Sequence, residues 1–181
     1  MTGTGIARCD GTTYTVTPKR DGDARLIEIR SEIARAIDGR AIDLVVIEDL
    51  PTNAKSAGIT GMVHGTVRTW LRDHQVPYAL ATPASVKKYA TGKGNCGKPE
   101  MAVAAYKRGQ REFPDDNQCD AWWLRAAGLD HLGAPVATMP ATQRAALTAI
   151  KWPLLLYTTP TRPHHDEPAF DRPVDNVSLP A

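Results

Sequence analysis

Residues 43–49 read Asp43, Leu44, Val45, Val46, Ile47, Glu48, Asp49, and this run constrains the fold more than any other stretch. Its apolar residues fall on odd and even positions alike and three are β-branched, so as a strand it has no face to offer to water. A strand of that kind needs packing on both sides, which points to an α/β sheet with helices on its faces. It also ends in a carboxylate, and functional residues of such sheets gather at strand ends.

The remaining pattern agrees. Residues 5–10 and 12–17 are short runs joined by Asp10 and Gly11, a hairpin turn pair. From residue 23, Leu26, Ile27, Ile29, Ile33, Ala34 and Ile37 recur at helical spacing until Gly39 stops them. Ile59, Met62, Val63, Thr66, Val67 and Trp70 predict a second amphipathic helix, with Gly58, Gly61 and Gly65 along one side. Small residues there suit either dense packing on the sheet or contact with a second copy of the chain.

Residues 77–81 read as another strand, residues 82–85 open a short helical turn, and Pro99 is well placed to start a helix that runs to residue 108. Further helices are expected over residues 116–129 and 140–150. Residues 1–133 form the main domain and residues 134–157 a helical extension. Residues 158–181, with Pro160, Pro163, Pro168, Pro173 and Pro180, are expected to be a disordered tail.

With 181 residues and 42% hydrophobic content, the chain suits one soluble globular domain plus that tail. Cys9, Cys96 and Cys119 are odd in number and form no CxxC pair, which argues against a disulfide framework or structural zinc and for a reducing cytoplasm. No stretch has the length of a membrane span. The net charge is only +2, so any nucleic-acid function must rest on local charge.

Local charge is uneven. Asp115, Asp116, Asn117 and Asp120 open the helix before Ala121, Trp122 and Trp123. Asp116 and Asp120, four apart, share a helix face, where two carboxylates repel unless a cation or a proton lies between them. With Glu48 they supply three oxygen ligands of the kind Mg²⁺ takes, and two such ions can stabilise both ends of a phosphodiester displacement. Asn117 either joins that ligand set or caps the helix, and Asp115 is expected to be the solvated neighbour. Singly, Glu48 is explained as a solvated strand-end acid and Asp116 as a residue favoured by the helix dipole. Between the strand at 77–81 and this helix lie Lys87, Lys88, Lys93, Lys98, Lys107, Arg108 and Arg111 against Glu100 and Glu112. Gly92, Gly94 and Gly97 let that segment approach a backbone closely, so Lys87, Lys88, Lys93 and Lys98 are candidate phosphate contacts.

Together these residues resemble the RuvC-type Holliday junction resolvases of the RNase H-like superfamily, particularly compact versions carried by phages. The resemblance rests on Val45 to Asp49, on Ala57 to Gly61, on Thr82 to Tyr89, on Lys98 and on Asp115 to Trp123, and covers roughly residues 2–133. It implies an RNase H-like mixed sheet flanked by helices and a homodimeric endodeoxyribonuclease that nicks four-way DNA junctions symmetrically. Mg²⁺ is the implied cofactor, with Mn²⁺ as an alternative. Glu48 matches the metal-bridging strand-end acid and Asp120 the last family acid. Asp116 or Asn117 stands near the preceding one, and Lys87 and Lys98 match lysines near the scissile phosphate.

One departure is large. Such proteins open with an apolar strand ending in an essential aspartate, and a Thr-Gly pair then starts their second strand. Here Thr4, Gly5, Ile6 and Ala7 match that second strand, so the first, central strand is missing from the chain as given. A start codon assigned too far downstream and a truncated product both account for this. The intact acids favour the former, and in-frame codons upstream of Met1 are expected to encode an apolar run ending in Asp and Ser. Two other functions compete with the resolvase: a non-catalytic junction-binding protein, and an RNase H-like nuclease acting on hybrids or flaps.

Overall fold

The computed structural model describes residues 3–50 and 57–154. Strands β1 (Thr4–Ala7) and β2 (Thr13–Val16) pair antiparallel, from Thr4 opposite Val16 to Ala7 opposite Thr13. The turn is wider than the Asp10–Gly11 pair alone. Gly11 N donates to Arg8 O at 3.0 Å and Arg8 N to Thr12 O at 2.9 Å, closing a three-residue loop whose last member, Gly11, has φ 89°. This is the hairpin loop in which a left-handed residue lets the strands keep their twist, and glycine adopts it without a Cβ clash.

Helix α1 (Gly22–Ile37) leads to β3 (Val45–Glu48), α2 (Ala57–Asp73) crosses over, and β4 (Tyr78–Ala81) returns parallel to β3, with Val45 opposite Tyr78 and Glu48 opposite Ala81. Lys151 adds an isolated antiparallel bridge to Leu80. Then come α3 (Pro83–Thr91), α4 (Lys98–Gly109), α5 (Asp116–His131) and α6 (Ala141–Arg144). Thr82 caps α3 by accepting from Ser85 N at 3.2 Å, so the expected helical turn extends to nine residues. In α4, Glu100 Oε2 accepts from Gly97 N at 2.7 Å while proline occupies the first turn. The expected helix over 140–150 divides into α6 and a 3₁₀ turn, Ala145–Ala149.

Alternation along β3 serves two cores. Leu44 and Val46 pack with the cluster around Trp122, Trp123 and Ala126 of α5, whereas Val45 and Ile47 pack with Ile29 of α1 and Val63, Val67 and Leu71 of α2. Helices therefore cover both faces, yet β3 is half-buried rather than buried, because among the described residues no strand pairs with its edge away from β4. The β1–β2 and β3–β4 pairs share no hydrogen-bonded edge, and α5 packs against both. Residues 134–154 join the same core: Ala146, Leu147 and Ile150 are buried, and Trp152 stacks on His131 of α5 with ring centroids 4.1 Å apart.

Two expectations need correcting. Gly58, Gly61 and Gly65 do not pack on the sheet, since a Cβ added at any of them meets nothing within 4 Å among the described residues. Ile27, counted in the apolar stripe of α1, is 54% exposed, because it falls on the opposite side of the helix from the buried Ile29. Residues 51–56, which the sequence suggests are a loop, and residues 158–181, the expected tail, lie outside the described residues. No helix among those described is long and apolar enough to cross a membrane.

Candidate active site

Glu48 stands at the carboxyl end of β3, where parallel pairing continues one residue further as Asp49 N donates to Ala81 O at 2.8 Å. Glu48 is the exposed position of β3, although protein lies close enough to its carboxyl to desolvate it. Burial, and then the charge of Asp120, raises its carboxyl above the ordinary range, while Lys87 opposes. A strand end facing a helix start is where a parallel sheet brings distant residues together.

The other acids come from α5, whose orientation is set by its aromatic anchor. Trp122 and Trp123 are buried with ring centroids 4.8 Å apart, and Trp123 Nε1 donates to Met101 O of α4 at 3.2 Å. With that face fixed in the core, Asp120 emerges half-buried beside Glu48. Burial raises Asp120, Lys98 lowers it, Asp116 raises it and Lys87 lowers it. Asp116, one turn earlier, is exposed, and Lys98 Nζ donates to its Oδ2 at 2.8 Å. The site therefore gathers Glu48, Asp116 and Asp120 with Lys87 and Lys98, from β3, α5, α3 and α4.

Asp115 is not the solvated neighbour expected from sequence. It is the cap of α5: Oδ1 accepts from Gln118 N at 3.0 Å, Oδ2 from Gln118 Nε2 at 2.9 Å, and Thr15 Oγ1 donates to Oδ1 at 2.8 Å. Burial would raise its carboxyl, but the Gln118 and Thr15 hydrogen bonds outweigh burial and lower it. Capping takes Asp115 because only the residue before the first helical turn can reach the free amides. Asn117 turns to the β1 side of the helix, where a Cβ built on Gly3 would lie 3.2 Å from its Nδ2. Lys88 and Lys93 are exposed, and neither has an ion pair among the described residues.

No three His, Cys, Asp or Glu side chains among the described residues are close enough together to hold a metal ion. Asp116 is paired with Lys98 at the surface, and Glu48 and Asp120 act on each other as two like charges. Two carboxylates still fit a hard cation that keeps several water or phosphate oxygens in its shell. Their raised carboxyls mark a pair that a cation would relieve.

Sequence reasoning overlooked His64. On α2 it is 8% exposed, shares a face with the buried Val67 and Leu71, and has an Nε2 with no hydrogen-bond partner among the described residues. Burial, then the Arg68 charge, lowers it below the ordinary imidazole range, while Asp49 beyond Glu48 opposes. Its spacing of three from Val67 and seven from Leu71 was the available signal.

No family model matches the chain. A crossover junction endodeoxyribonuclease RuvC from Sorangium cellulosum (strain So ce56) is 31% identical over 136 residues, covering 68% of this chain and 76% of that protein. Among solved structures, Thermus thermophilus RuvC matches the fold with a TM-score of 0.54 at 19% identity, over 72% of this chain and 81% of that one. T. thermophilus RuvC in complex with Holliday junction substrate matches with a TM-score of 0.51 at 18% identity, over 76% of this chain and 90% of that one. With 31% identity across three quarters of the S. cellulosum protein, this chain belongs to the RuvC family of crossover junction endodeoxyribonucleases.

Proposed function

We propose that this chain is a divalent-metal-dependent endonuclease that makes symmetric nicks in four-way junction DNA. The observation that carries the reading is the Glu48–Asp120 pair, with Lys87 and Lys98 beside it. Its S. cellulosum relative bears the name of that activity, and the T. thermophilus relative binds a Holliday junction substrate. Glu48 and Asp120 would hold the ion, Mg²⁺ or alternatively Mn²⁺, with Asp116 adjacent. Held there, a divalent ion would supply an activated water and positive charge beside the phosphate.

The chain's own residues do the rest. Lys87 and Lys98 offset the carboxylates, so that a phosphodiester can approach what is otherwise a repulsive acidic pair. Asp116 accepts a 2.8 Å hydrogen bond from the Lys98 ammonium, whose charge also acts on Asp120. Lys88 and Lys93 extend the basic edge along the flanking DNA. Symmetric nicking needs two active sites, and the open glycine side of α2, with Met62 48% exposed, supports a homodimer through that helix.

The test is a labelled four-way junction incubated with the parent and with Glu48→Gln, with and without Mg²⁺. Paired, Mg²⁺-dependent nicks lost in Glu48→Gln, with binding retained, are expected. Equal cutting by both proteins would refute the site. One observation favours a second reading: with two facing acids rather than three among the described residues, the chain is a junction-binding protein that does not cut. Retardation of the junction without nicks, in Mg²⁺ and in Mn²⁺, would establish that instead.

A further inference from the structure

Four guanidinium groups from four separate parts of the chain converge on the β1–β2 turn. Arg125 Nη2 of α5 donates to Cys9 O at 2.9 Å, and Arg111 Nη2, between α4 and α5, donates to Gly11 O at 3.1 Å. Arg40, after α1, places Nη2 at 3.8 Å from Asp10 Oδ2 and Nη1 at 3.2 Å from Cys9 Sγ. Arg8 lies over the Tyr14 ring at 4.8 Å. Asp10 is the acid at their centre, and its Oδ1 is already occupied by Thr12 N at 2.9 Å and Thr12 Oγ1 at 2.7 Å.

Four cations around one carboxylate leave a strong excess of positive charge in one patch. Buttressing the turn does not require it, because a neutral amide could donate to Cys9 O and Gly11 O equally well. The assembly is also electrostatically strained. The Nε atoms of Arg8 and Arg125 are enclosed without hydrogen-bond partners among the described residues. Burial, and then the Arg111 charge, lowers Arg125 from its ordinary range, with Cys9 and Asp10 opposing. Arg40 and Arg111 are exposed, so their charges face solvent. Like charges held together at such a cost are what a polyanion would relieve, and arginine matches phosphate geometry better than lysine does.

We infer that this arginine patch is a second phosphate-binding surface, which holds the sugar–phosphate backbone of a DNA arm other than the one in the Glu48–Asp120 site. The inference rests on the nuclease reading. Arg125 is five residues beyond Asp120 on α5, about 7.5 Å along the axis and some 140° around it. That offset is too large for both to touch one phosphate, and it turns the patch to another face of the domain. A junction has arms enough to occupy both faces.

The test measures junction affinity across a salt series without divalent ions, for the parent, Arg40→Gln/Arg111→Gln, Lys87→Gln/Lys98→Gln and a control, Arg30→Gln/Arg72→Gln. Glutamine keeps a donor for Gly11 O, and thermal melts confirm that each variant folds. The slope of log affinity against log salt is expected to fall by about 1.8 for Arg40→Gln/Arg111→Gln, close to one unit for each lost phosphate contact. The control, with equal charge removed elsewhere, should stay near the parent. A parent slope retained by Arg40→Gln/Arg111→Gln while Lys87→Gln/Lys98→Gln lowers it, or an equal fall in the control, overturns the patch and leaves the active site standing. A parent that binds no junction overturns the nuclease reading and the patch together.

Discussion

Replacing Gly5 by alanine tests how the fold positions its acids. Gly5 is the point where β1 meets the first turns of α5, and an added Cβ would lie 2.0 Å from the backbone oxygen of Asn117. Real Cβ contacts essentially never fall under 3.0 Å, so strand and helix must separate by about 1 Å, and a backbone oxygen cannot rotate away as a side chain can. Overpacking of this kind costs about 1–3 kcal/mol. Because Asn117 lies between Asp116 and Asp120, the same displacement moves both acids relative to Glu48. A shift of about 1 Å at a catalytic group lowers rate on the order of 100-fold.

Urea unfolding followed by tryptophan fluorescence measures the first effect, and junction nicking the second. A graded series sharpens it. Gly128→Ala meets Val46 Cγ2 at 2.8 Å and Leu44 Cδ2 at 3.8 Å, side-chain methyls that can yield, and Gly65→Ala meets nothing within 4 Å among the described residues. Gly5→Ala should be the least stable, Gly128→Ala intermediate, and Gly65→Ala more stable than the parent by about 0.5–1 kcal/mol, the helix preference of alanine over glycine. A Gly5→Ala protein with the stability of the parent would refute the close approach of β1 to α5.

Other expectations follow from single contacts. Asp130 is fully buried and held by the Arg144 guanidinium and by Tyr89 Oη at 3.0 Å. Arg144→Met should therefore lower stability by on the order of 2 kcal/mol, with much of the loss recovered in Asp130→Asn/Arg144→Met, as denaturant midpoints would report. Among the thiols, Cys9 is exposed, Cys96 is buried, and burial pushes the Cys119 thiol up to about 12. An alkylating reagent at pH 8 should modify one thiol in the native protein and three after denaturation; rapid native labelling of Cys119 would contradict its enclosure. Lys98→Gln should release Asp116 beside Asp120, tightening Mn²⁺ binding in calorimetry while weakening junction binding. Unchanged Mn²⁺ affinity would show that the Lys98–Asp116 pair does not control the acidic site.

Much of this was legible along the chain. The apolar run at 44–47 foretold a strand between two helical layers, and Leu44 and Val46 do face α5 while Val45 and Ile47 face α1 and α2. Glu48, Asp116 and Asp120 were named from strand-end and helix-face positions, and the fold brings their segments together. The role of Asp115 was misjudged, because a cap is defined by where the first amides point, and adjacent aspartates cannot be ranked from composition. The glycine side of α2 was legible as a small-residue stripe, but whether it packed inward depended on how α2 rotates about Val63, Val67 and Leu71.

Periodicity, turn chemistry and capping act between neighbours in the chain, so the sequence by itself determined the order of strands and helices, the class of fold and the acids worth testing. Which charges meet was decided only in three dimensions. Lys98 takes Asp116, Lys87 acts on Glu48 and Asp120, and Arg8, Arg40, Arg111 and Arg125 crowd one turn although scores of residues separate most of them. Coulomb interactions depend on distance through space and on what shields it, and α5, packed against both strand pairs, sets those distances.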